Sequence, residues 1–479
     1  MSEWTEQAEA LVDELMEDHE RAGRQRRAAA AAQRDAAAVA AEEEGRLGNN
    51  AKFVAMANRF TESGLSDADG DLLRGRMRAT HRDLNPASKN QQKCGVIRRK
   101  KEVEVRKAEG RAYLGGLVSC ASWHSCPVCS RRIARNRAEE IERALEAHHG
   151  NGGSTMLLTL TMAHTAGHAL KRLYRGLADA WRKVTMERAW REAREDLRIV
   201  GTVRATDCTL GQNGWHPHLH VLVLTEDALD EKGMTALEDR LYEVFSRKVV
   251  EIVGEEHRPA HRDQVGSGVG VNIQAGTRAG SYVAKMGLAR EITSIGTKEG
   301  AGGRRTPFEI LRDVATRGTL EDRELWLEWS RAMKNQVQVQ WSPGLREKLG
   351  IANREMTPEE IIEAAEADDT WESEHVTWID APSWRAVRSQ SAGEARIQYV
   401  AAMAPDKETA ARSVKALVEV AVRNAPQETD AMRELQSAEN PISSKIEGSA
   451  ALKVKRAKTK LARERRLAKT VTTGGDDVA

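Results

Sequence analysis

The sequence lacks any run of about 18 apolar residues, the length that a membrane-spanning helix requires. Its N-terminal residues also lack the basic region and apolar core of a secretory signal, so we expect a cytoplasmic protein without a membrane partner. Cysteine is scarce, with five residues in 479, which argues against the dense disulfide framework of small secreted domains. Tyrosine is equally scarce, with five residues.

An excess of charge of one sign is also absent, because 74 lysines and arginines stand against 72 aspartates and glutamates. The basic residues are nevertheless clustered at 98–101, 131–137 and 453–469, and such local charge matters more than the formal net charge of +2. The length, with 40% apolar and 30% charged residues, indicates a soluble globular protein of two or three domains.

We divide the chain into four regions. The composition of residues 1–90 predicts a helical, charged N-terminal extension. Residues 91–150 contain four cysteines and a predicted basic helix. Residues 151–350 carry the order strand, helix, hairpin, helix, strand, which predicts an α+β domain with an antiparallel sheet and flanking helices. Residues 351–479 predict a helical C-terminal region with a basic tail.

A histidine repeat lies in the predicted strand 215–225. Side chains alternate between the faces of a strand, so His216, His218 and His220 point the same way. Converging neutral imidazoles are good ligands for a divalent metal, and such an ion acts as a Lewis acid on a phosphodiester. The pattern favours a nuclease or phosphotransfer role over a polar sheet face on which histidines alternate by chance.

A Gly-Gln-Asn-Gly turn before this strand predicts a β-hairpin. A two-residue loop that begins at Gln212 places Asp207 opposite His218, and a loop one residue later places it opposite His220. Both registers put the carboxylate on the histidine face. Asp207 is then either a metal ligand, in competition with His216, or a group that orients an imidazole. We favour direct ligation.

The cysteine cluster supplies up to four thiolates, the number that closes a tetrahedral structural zinc site. These cysteines are Cys94, Cys120, Cys126 and Cys129. Their spacing fits no common zinc finger, and an alternative is that Cys94 is a buried thiol while His124 completes the set.

A basic helix follows the cysteines and is placed for contacts with DNA phosphates, although a solvated helix face explains it nearly as well. Its arginines are Arg131, Arg132, Arg135 and Arg137. The C-terminal basic tail, 453–469, predicts nonspecific DNA binding or disorder.

Tyr282 lies three residues before Lys285 in a helix-compatible segment, so the two share a helical face. A phenol can form a covalent intermediate when its phenoxide is stabilised and the phosphorus it attacks is made electrophilic. The alternative is a half-buried tyrosine that anchors a helix to the sheet.

The segment 214–223, Gly-Trp-His-Pro-His-Leu-His-Val-Leu-Val, resembles the HUH motif of the rolling-circle replication initiators of bacterial plasmids, in particular the actinobacterial-type branch. Further segments resemble other signatures of this family, over about 94–350 in all. They are Lys93-Cys-Gly95, 125–129, Thr159-Leu-Thr161, 306–312, 325–329 and 341–346.

This resemblance implies an HUH-type sheet in which His218 and His220 hold Mg²⁺ or Mn²⁺ with a third ligand. The family pattern has Glu where this chain has the shorter Asp207. It also implies that Tyr282 is the nucleophile of a Tyr-x-x-Lys motif with Lys285, leaving a 5′-phosphotyrosine and a free 3′-hydroxyl that primes DNA synthesis.

The resemblance further implies Zn²⁺ at the cysteine cluster and single-stranded or supercoiled origin DNA as the partner, with Arg278 as a further DNA contact. A host helicase and polymerase would then copy the DNA. Branches with a later tyrosine have Glu near the position of Tyr282. This chain has Met286 at that later position, which implies a single tyrosine and leaves the terminating base open, with Glu291 the nearest following carboxylate.

Two other functions fit parts of these patterns. Relaxases and single-strand transposases use the same histidine pair and tyrosine chemistry on a similar core. The C-terminal Trp-Ser-x-Gly-Leu-Arg segment favours the initiator instead. The second alternative is a zinc-containing DNA-binding regulator with no enzymatic activity, in which the histidines bind a structural ion.

Overall fold

The structure is a computed structural model that describes residues 67–85, 89–108, 110–264, 270–275, 304–316, 318–351, 354–371, 373–390 and 392–425. Several predicted features lie outside these residues. They are most of the N-terminal extension, the segment with Arg278, Tyr282, Lys285 and Glu291, and the basic tail. No described helix is long and apolar enough to cross a lipid bilayer.

The described residues form an α+β fold with antiparallel sheets, as predicted. The first elements are α1 (Asp67–Leu84), α2 (Lys89–Lys93), β1 (Val103–Ala108), β2 (Arg111–Gly115), α3 (Pro127–Gly150), β3 (Ser154–Leu160), α4 (Leu170–Val184), α5 (Arg188–Asp196), β4 (Ile199–Gly211) and β5 (Gly214–Thr225). The later elements are α6 (Glu231–Val253), β6 (Val271–Ala275), α7 (Pro307–Thr316), α8 (Leu320–Ala332), β7 (Val339–Trp341), α9 (Leu345–Lys348), α10 (Pro358–Trp371), β8 (Glu374–Ile379), α11 (Ala381–Ser389), α12 (Gly393–Met403) and α13 (Lys407–Arg423).

A five-stranded antiparallel sheet, in the order β6-β3-β5-β4-β7, places the histidine strand β5 at its centre. The β4–β5 hairpin pairs Gly211 with Gly214, so its loop begins at Gln212, and Asp207 lies opposite His218. This is the first of the two predicted registers. Gly214 follows this loop with φ +81°, a left-handed conformation that glycine adopts at little cost.

Both faces of this sheet are buried. Leu219 and Val221 of β5 belong to a core shared with α4 and α6. Leu222 and Leu224 belong to a second core with Ile141 of α3. Because side chains alternate, the even-numbered histidines of β5 lie on the face of this second core.

A three-stranded sheet, in the order β2-β1-β8, joins the cysteine-bearing region to the C-terminal region. Strand β8 was not predicted, since the C-terminal region was expected to be helical, and it pairs with β1 from Val103↔Ile379 to Lys107↔Glu374. Cys94, Cys126 and Cys129 lie in the same core as Leu219 of the histidine strand. The described residues up to Ala421 belong to one compact unit and 422–425 to a second, so the predicted four-region division remains a prediction.

Candidate functional site

Strands β4 and β5 bring a carboxylate against two of the histidines. Asp207 Oδ2 lies 3.3 Å from Nε2 of His218 and 3.9 Å from Nε2 of His220. The other carboxylate oxygen, Oδ1, accepts the backbone N–H of Cys208 at 2.7 Å. The backbone therefore fixes one oxygen of Asp207 and turns the other toward the two imidazoles.

The second nitrogen of each imidazole contacts a group that orients the ring. Nδ1 of His218 lies 3.3 Å from the carbonyl oxygen of His216, and because a carbonyl only accepts, Nδ1 carries the proton. With its proton on Nδ1, the ring of His218 would direct the lone pair of Nε2 toward Asp207. Nδ1 of His220 lies 3.2 Å from Oγ1 of Thr159 on β3. Such outer contacts are typical of histidines that bind metals.

The ligand atoms of Asp207, His218 and His220 all lie within 4.8 Å of one another, so the group can hold a metal ion. Two ligand atoms, each about 2.1 Å from one ion, lie roughly 3.0–3.4 Å apart at octahedral or tetrahedral angles. The 3.3 Å separation between Asp207 and His218 falls in this range. The 3.9 Å separation between Asp207 and His220 lies above it, so a shared ion requires a small shift of one of these two side chains.

His216 is held by a histidine that the sequence patterns did not identify. Its Nδ1 lies 2.8 Å from Nε2 of His164, and Nδ1 of His164 lies 2.9 Å from the carbonyl oxygen of Asn213. Burial, together with neighbouring imidazoles, lowers the pKa of His216 to about 3, and burial also lowers the pKa of His164. The structure thus groups Asp207, rather than His216, with the other two histidines. His164 follows β3 in a loop, where no alternation marks it.

The four cysteines of the cluster meet as a set, and none forms a disulfide. Sγ of Cys94 lies 3.8 Å from Sγ of both Cys126 and Cys129, and Sγ of Cys120 lies 3.8 Å from that of Cys129. A tetrahedral ion with metal–sulfur bonds of about 2.3 Å separates its sulfurs by roughly 3.8 Å. The cluster therefore has the dimensions of a four-thiolate metal site. Nδ1 of His124, the alternative ligand, instead lies 3.3 Å from Oγ of Ser122.

Helix α8 connects the cysteine loop to the histidine strand. The indole N–H of Trp329 donates to the carbonyl oxygen of His124 at 2.7 Å, and the ring of Trp329 stacks on Trp215. The indole N–H of Trp215, the residue before His216, donates to Glu328 at 2.8 Å. These contacts give a structural role to the Leu-Trp-Leu-Glu-Trp segment. In the sequence this segment was recognised only by its resemblance to a family signature.

The basic arginines of α3 do not all face solvent. Arg137 is buried, donates to the carbonyl oxygen of Met356 at 2.6 Å and pairs with Glu355 at 2.8 Å, so it is not available for DNA. This corrects its assignment as a phosphate contact. Arg135 is exposed beside Glu139. Arg131 is partly exposed, lies near acidic residues of α1, and belongs with Arg132 and Arg135 to the accessible part of the helix.

Comparisons with known proteins agree with these features. A family model described as a replication protein (Rep) matches residues 117–235, which include three of the four cysteines of the cluster and strands β3 to β5. Over 387 residues the chain is 27% identical to Protein rep of Streptomyces lividans, covering 64% of this chain and 84% of that protein. Over 160 residues it is 32% identical to a protein named Neomycin resistance protein from Streptomyces cyanogenus, covering 27% and 37%. No solved structure gave a significant match. These matches, together with the motifs, show that the chain is similar to Rep-type replication proteins.

Proposed function

We propose that this protein starts and ends rolling-circle replication of a plasmid or similar element by nicking and rejoining one DNA strand at an origin. The group formed by Asp207, His218 and His220 carries this proposal. It combines a metal-compatible geometry with the strand that resembles the HUH motif, within residues matched by the replication-protein family.

Asp207, His218 and His220 would hold Mg²⁺ or Mn²⁺, which acts as a Lewis acid on the scissile phosphate. The backbone N–H of Cys208, the carbonyl oxygen of His216 and the hydroxyl of Thr159 keep these three side chains in position. They do so before DNA binds, which reduces the reorganisation that catalysis requires.

Tyr282 is the proposed nucleophile. Its phenol loses a proton, its oxygen forms a bond to phosphorus, and the bond from phosphorus to the 3′-oxygen breaks, leaving a 5′-phosphotyrosine and a 3′-hydroxyl. Lys285 would stabilise the phenoxide, and Arg278 would contact the DNA backbone. Joining is the reverse, with a 3′-hydroxyl displacing the tyrosine. Strand β6, which ends seven residues before Tyr282, belongs to the same sheet as the histidines, and this supports the assignment.

The remaining parts of the proposal concern the cysteines and the partners. The 3.8 Å sulfur separations support Zn²⁺ as a structural ion at the cysteine cluster. Arg131, Arg132 and Arg135 would contact the phosphates of single-stranded or supercoiled origin DNA. A host helicase and polymerase would extend the released 3′-hydroxyl in the cytoplasm.

The test is an adduct assay with the full chain. End-labelled single-stranded oligonucleotides that tile a candidate origin are incubated with the protein and Mn²⁺, then separated on a denaturing gel. We expect a protein–DNA adduct that a chelator abolishes and that Tyr282→Phe does not form. Tyr242→Phe is the matched control, because it also removes a phenol, whose hydroxyl donates to the carbonyl oxygen of Pro259. DNA binding without any adduct across the tiled oligonucleotides would indicate a regulator instead.

A further inference from the structure

Three charged side chains, two of them buried and one partly buried, form a group next to Cys94. Arg82 of α1 donates to Oε1 of Glu394 at 2.7 Å and to the carbonyl oxygen of Cys94 at 3.0 Å. Arg78, one turn earlier on α1, lies 3.4 Å from the same oxygen of Glu394. Glu394 is 1% exposed and belongs to α12, in the C-terminal region. Two guanidinium groups therefore share one carboxylate beside the cysteines.

The Arg78 guanidinium lies against the backbone next to Cys94. Gly95 has φ +74°, and a Cβ added there would lie 2.3 Å from Cζ of Arg78, so glycine makes room for the guanidinium. Burial opposes the charge of Arg78, but Glu394 and then Cys94, Cys126 and Cys129 outweigh it and raise the pKa of Arg78 above its ordinary value. The cysteines are thus part of the charge environment of this arginine.

The charge balance differs between the loaded and the metal-free cluster. Four thiolates around a divalent ion carry a net charge of −2, which is costly to bury without a neighbouring cation. Arg78 and Arg82 supply that cation pair. Without the ion, the carboxylate that the same two guanidinium groups share is that of Glu394.

We propose that Arg78 is a positioning residue that stabilises the metal-loaded cysteine cluster, and that Glu394 from the C-terminal region limits this effect by competing for the same guanidinium. The metal affinity of cysteines near the start of the fold is then set partly by a helix 300 residues later. This inference rests on the proposed zinc site but not on the nicking activity, so the two are tested separately.

The two residues have opposite expected effects on metal affinity, which separates an electrostatic role from a packing role. Arg78→Met removes the cation and should weaken Zn²⁺ binding by about 10- to 100-fold, the range for residues that support metal ligands. Glu394→Gln removes the competing anion while keeping the side-chain shape. It should raise Zn²⁺ affinity. Arg78→Lys keeps the charge and should retain most of the affinity.

The measurement is chelator competition for Zn²⁺ with the reduced full-length protein. Co²⁺ absorption serves as a second readout, because thiolate-to-cobalt charge transfer reports the four-sulfur site directly. Arg346→Met is the matched control, since Arg346 forms a comparably buried pair with Glu140, at 2.5 Å, on helices α9 and α3. It should leave Zn²⁺ affinity unchanged.

Two results would overturn the proposal. The first is an Arg78→Met protein that binds Zn²⁺ as tightly as the Arg346→Met control. The second is an equal loss of affinity in Arg78→Met and Glu394→Gln, which indicates general damage to packing. If Arg78→Met does not fold, the Zn²⁺ affinities of Arg78→Lys and Glu394→Gln still test the proposal. A fall of Zn²⁺ affinity in Glu394→Gln contradicts it. A cluster that binds no Zn²⁺ or Co²⁺ in the unaltered protein refutes the zinc site itself and leaves the adduct assay unaffected.

Discussion

Replacing Asp207 by asparagine tests the histidine site, because the structure predicts the orientation of the new side chain. Oδ1 of Asp207 accepts the Cys208 N–H, so the amide oxygen of asparagine should stay there. Its NH₂ group would then face Nε2 of His218 and His220 and donate to the lone pairs that a metal needs. The substitution removes one ligand and blocks two others.

The expected magnitude follows from ligand chemistry. Loss of an outer partner of a metal ligand weakens binding by about 10- to 100-fold, so loss of a direct ligand should weaken it by at least about 100-fold, or about 2.7 kcal/mol. At a concentration of Mn²⁺ near 100 times the dissociation constant, the ion stabilises the unaltered fold by about 2.7 kcal/mol. In Asp207→Asn the same concentration contributes only about 0.4 kcal/mol. Without Mn²⁺ the variant should be as stable as the unaltered protein or more so, because a buried carboxylate is replaced by a neutral group.

The assay is urea unfolding with and without Mn²⁺, with the cysteine cluster held saturated with Zn²⁺. Asp313→Asn is the control, because Asp313 is buried and pairs with Arg305 at 3.1 Å. The Asp313→Asn protein should be less stable than the unaltered protein both with and without Mn²⁺. Its free energy of unfolding should still increase by the same amount when Mn²⁺ is added. An Asp207→Asn protein that gains as much from Mn²⁺ as the unaltered protein would refute direct ligation by Asp207.

Three further predictions concern stability. Trp329→Phe removes an indole donor to a buried carbonyl and leaves a void, so it should lower the free energy of unfolding by about 2–4 kcal/mol. Alanine at exposed Trp378 should change it by less than about 0.5 kcal/mol in the same urea titrations. Gly75→Ala would bring a Cβ to 2.2 Å from Cβ of Ala395 and should cost about 1–3 kcal/mol, measured likewise. Burial lowers the pKa of His81 below 6.5, so the unfolded chain takes up the proton more readily. Stability should then be complete above about pH 6.5 and fall as the pH decreases, and thermal melts of His81→Gln should show a weaker dependence on pH.

The part of the fold around the histidines was predictable from local patterns. The two-residue turn and the alternation of β5 predict the hairpin and put Asp207 on the histidine face, and the structure selects the register opposite His218. Strand β8 was not predictable in the same way, because its partner β1 lies about 270 residues earlier and its short sequence lies among helices. Pairing over such a distance depends on the tertiary fold rather than on local propensity.

The site shows the same division between local and distant contacts. The presence of four clustered cysteines was enough to predict them as metal ligands. Their spacing alone did not exclude His124 as an alternative ligand. Arg137 resembled its exposed neighbours in sequence, and only its contacts with Met356 and Glu355, more than 200 residues away, make it part of the interior. His164 was missed because its contact with His216 arises from a loop that crosses the hairpin end.

We propose that Tyr282 forms the covalent link to DNA. The most direct measurement is mass spectrometry of the adduct formed with Mn²⁺, after nuclease trimming and digestion with trypsin. Cleavage after Arg278 and Lys285 releases the peptide 279–285, which contains one tyrosine. We predict a nucleotide joined through its 5′-phosphate to this tyrosine. A nucleotide on any other residue, or an adduct that persists in Tyr282→Phe, would contradict it.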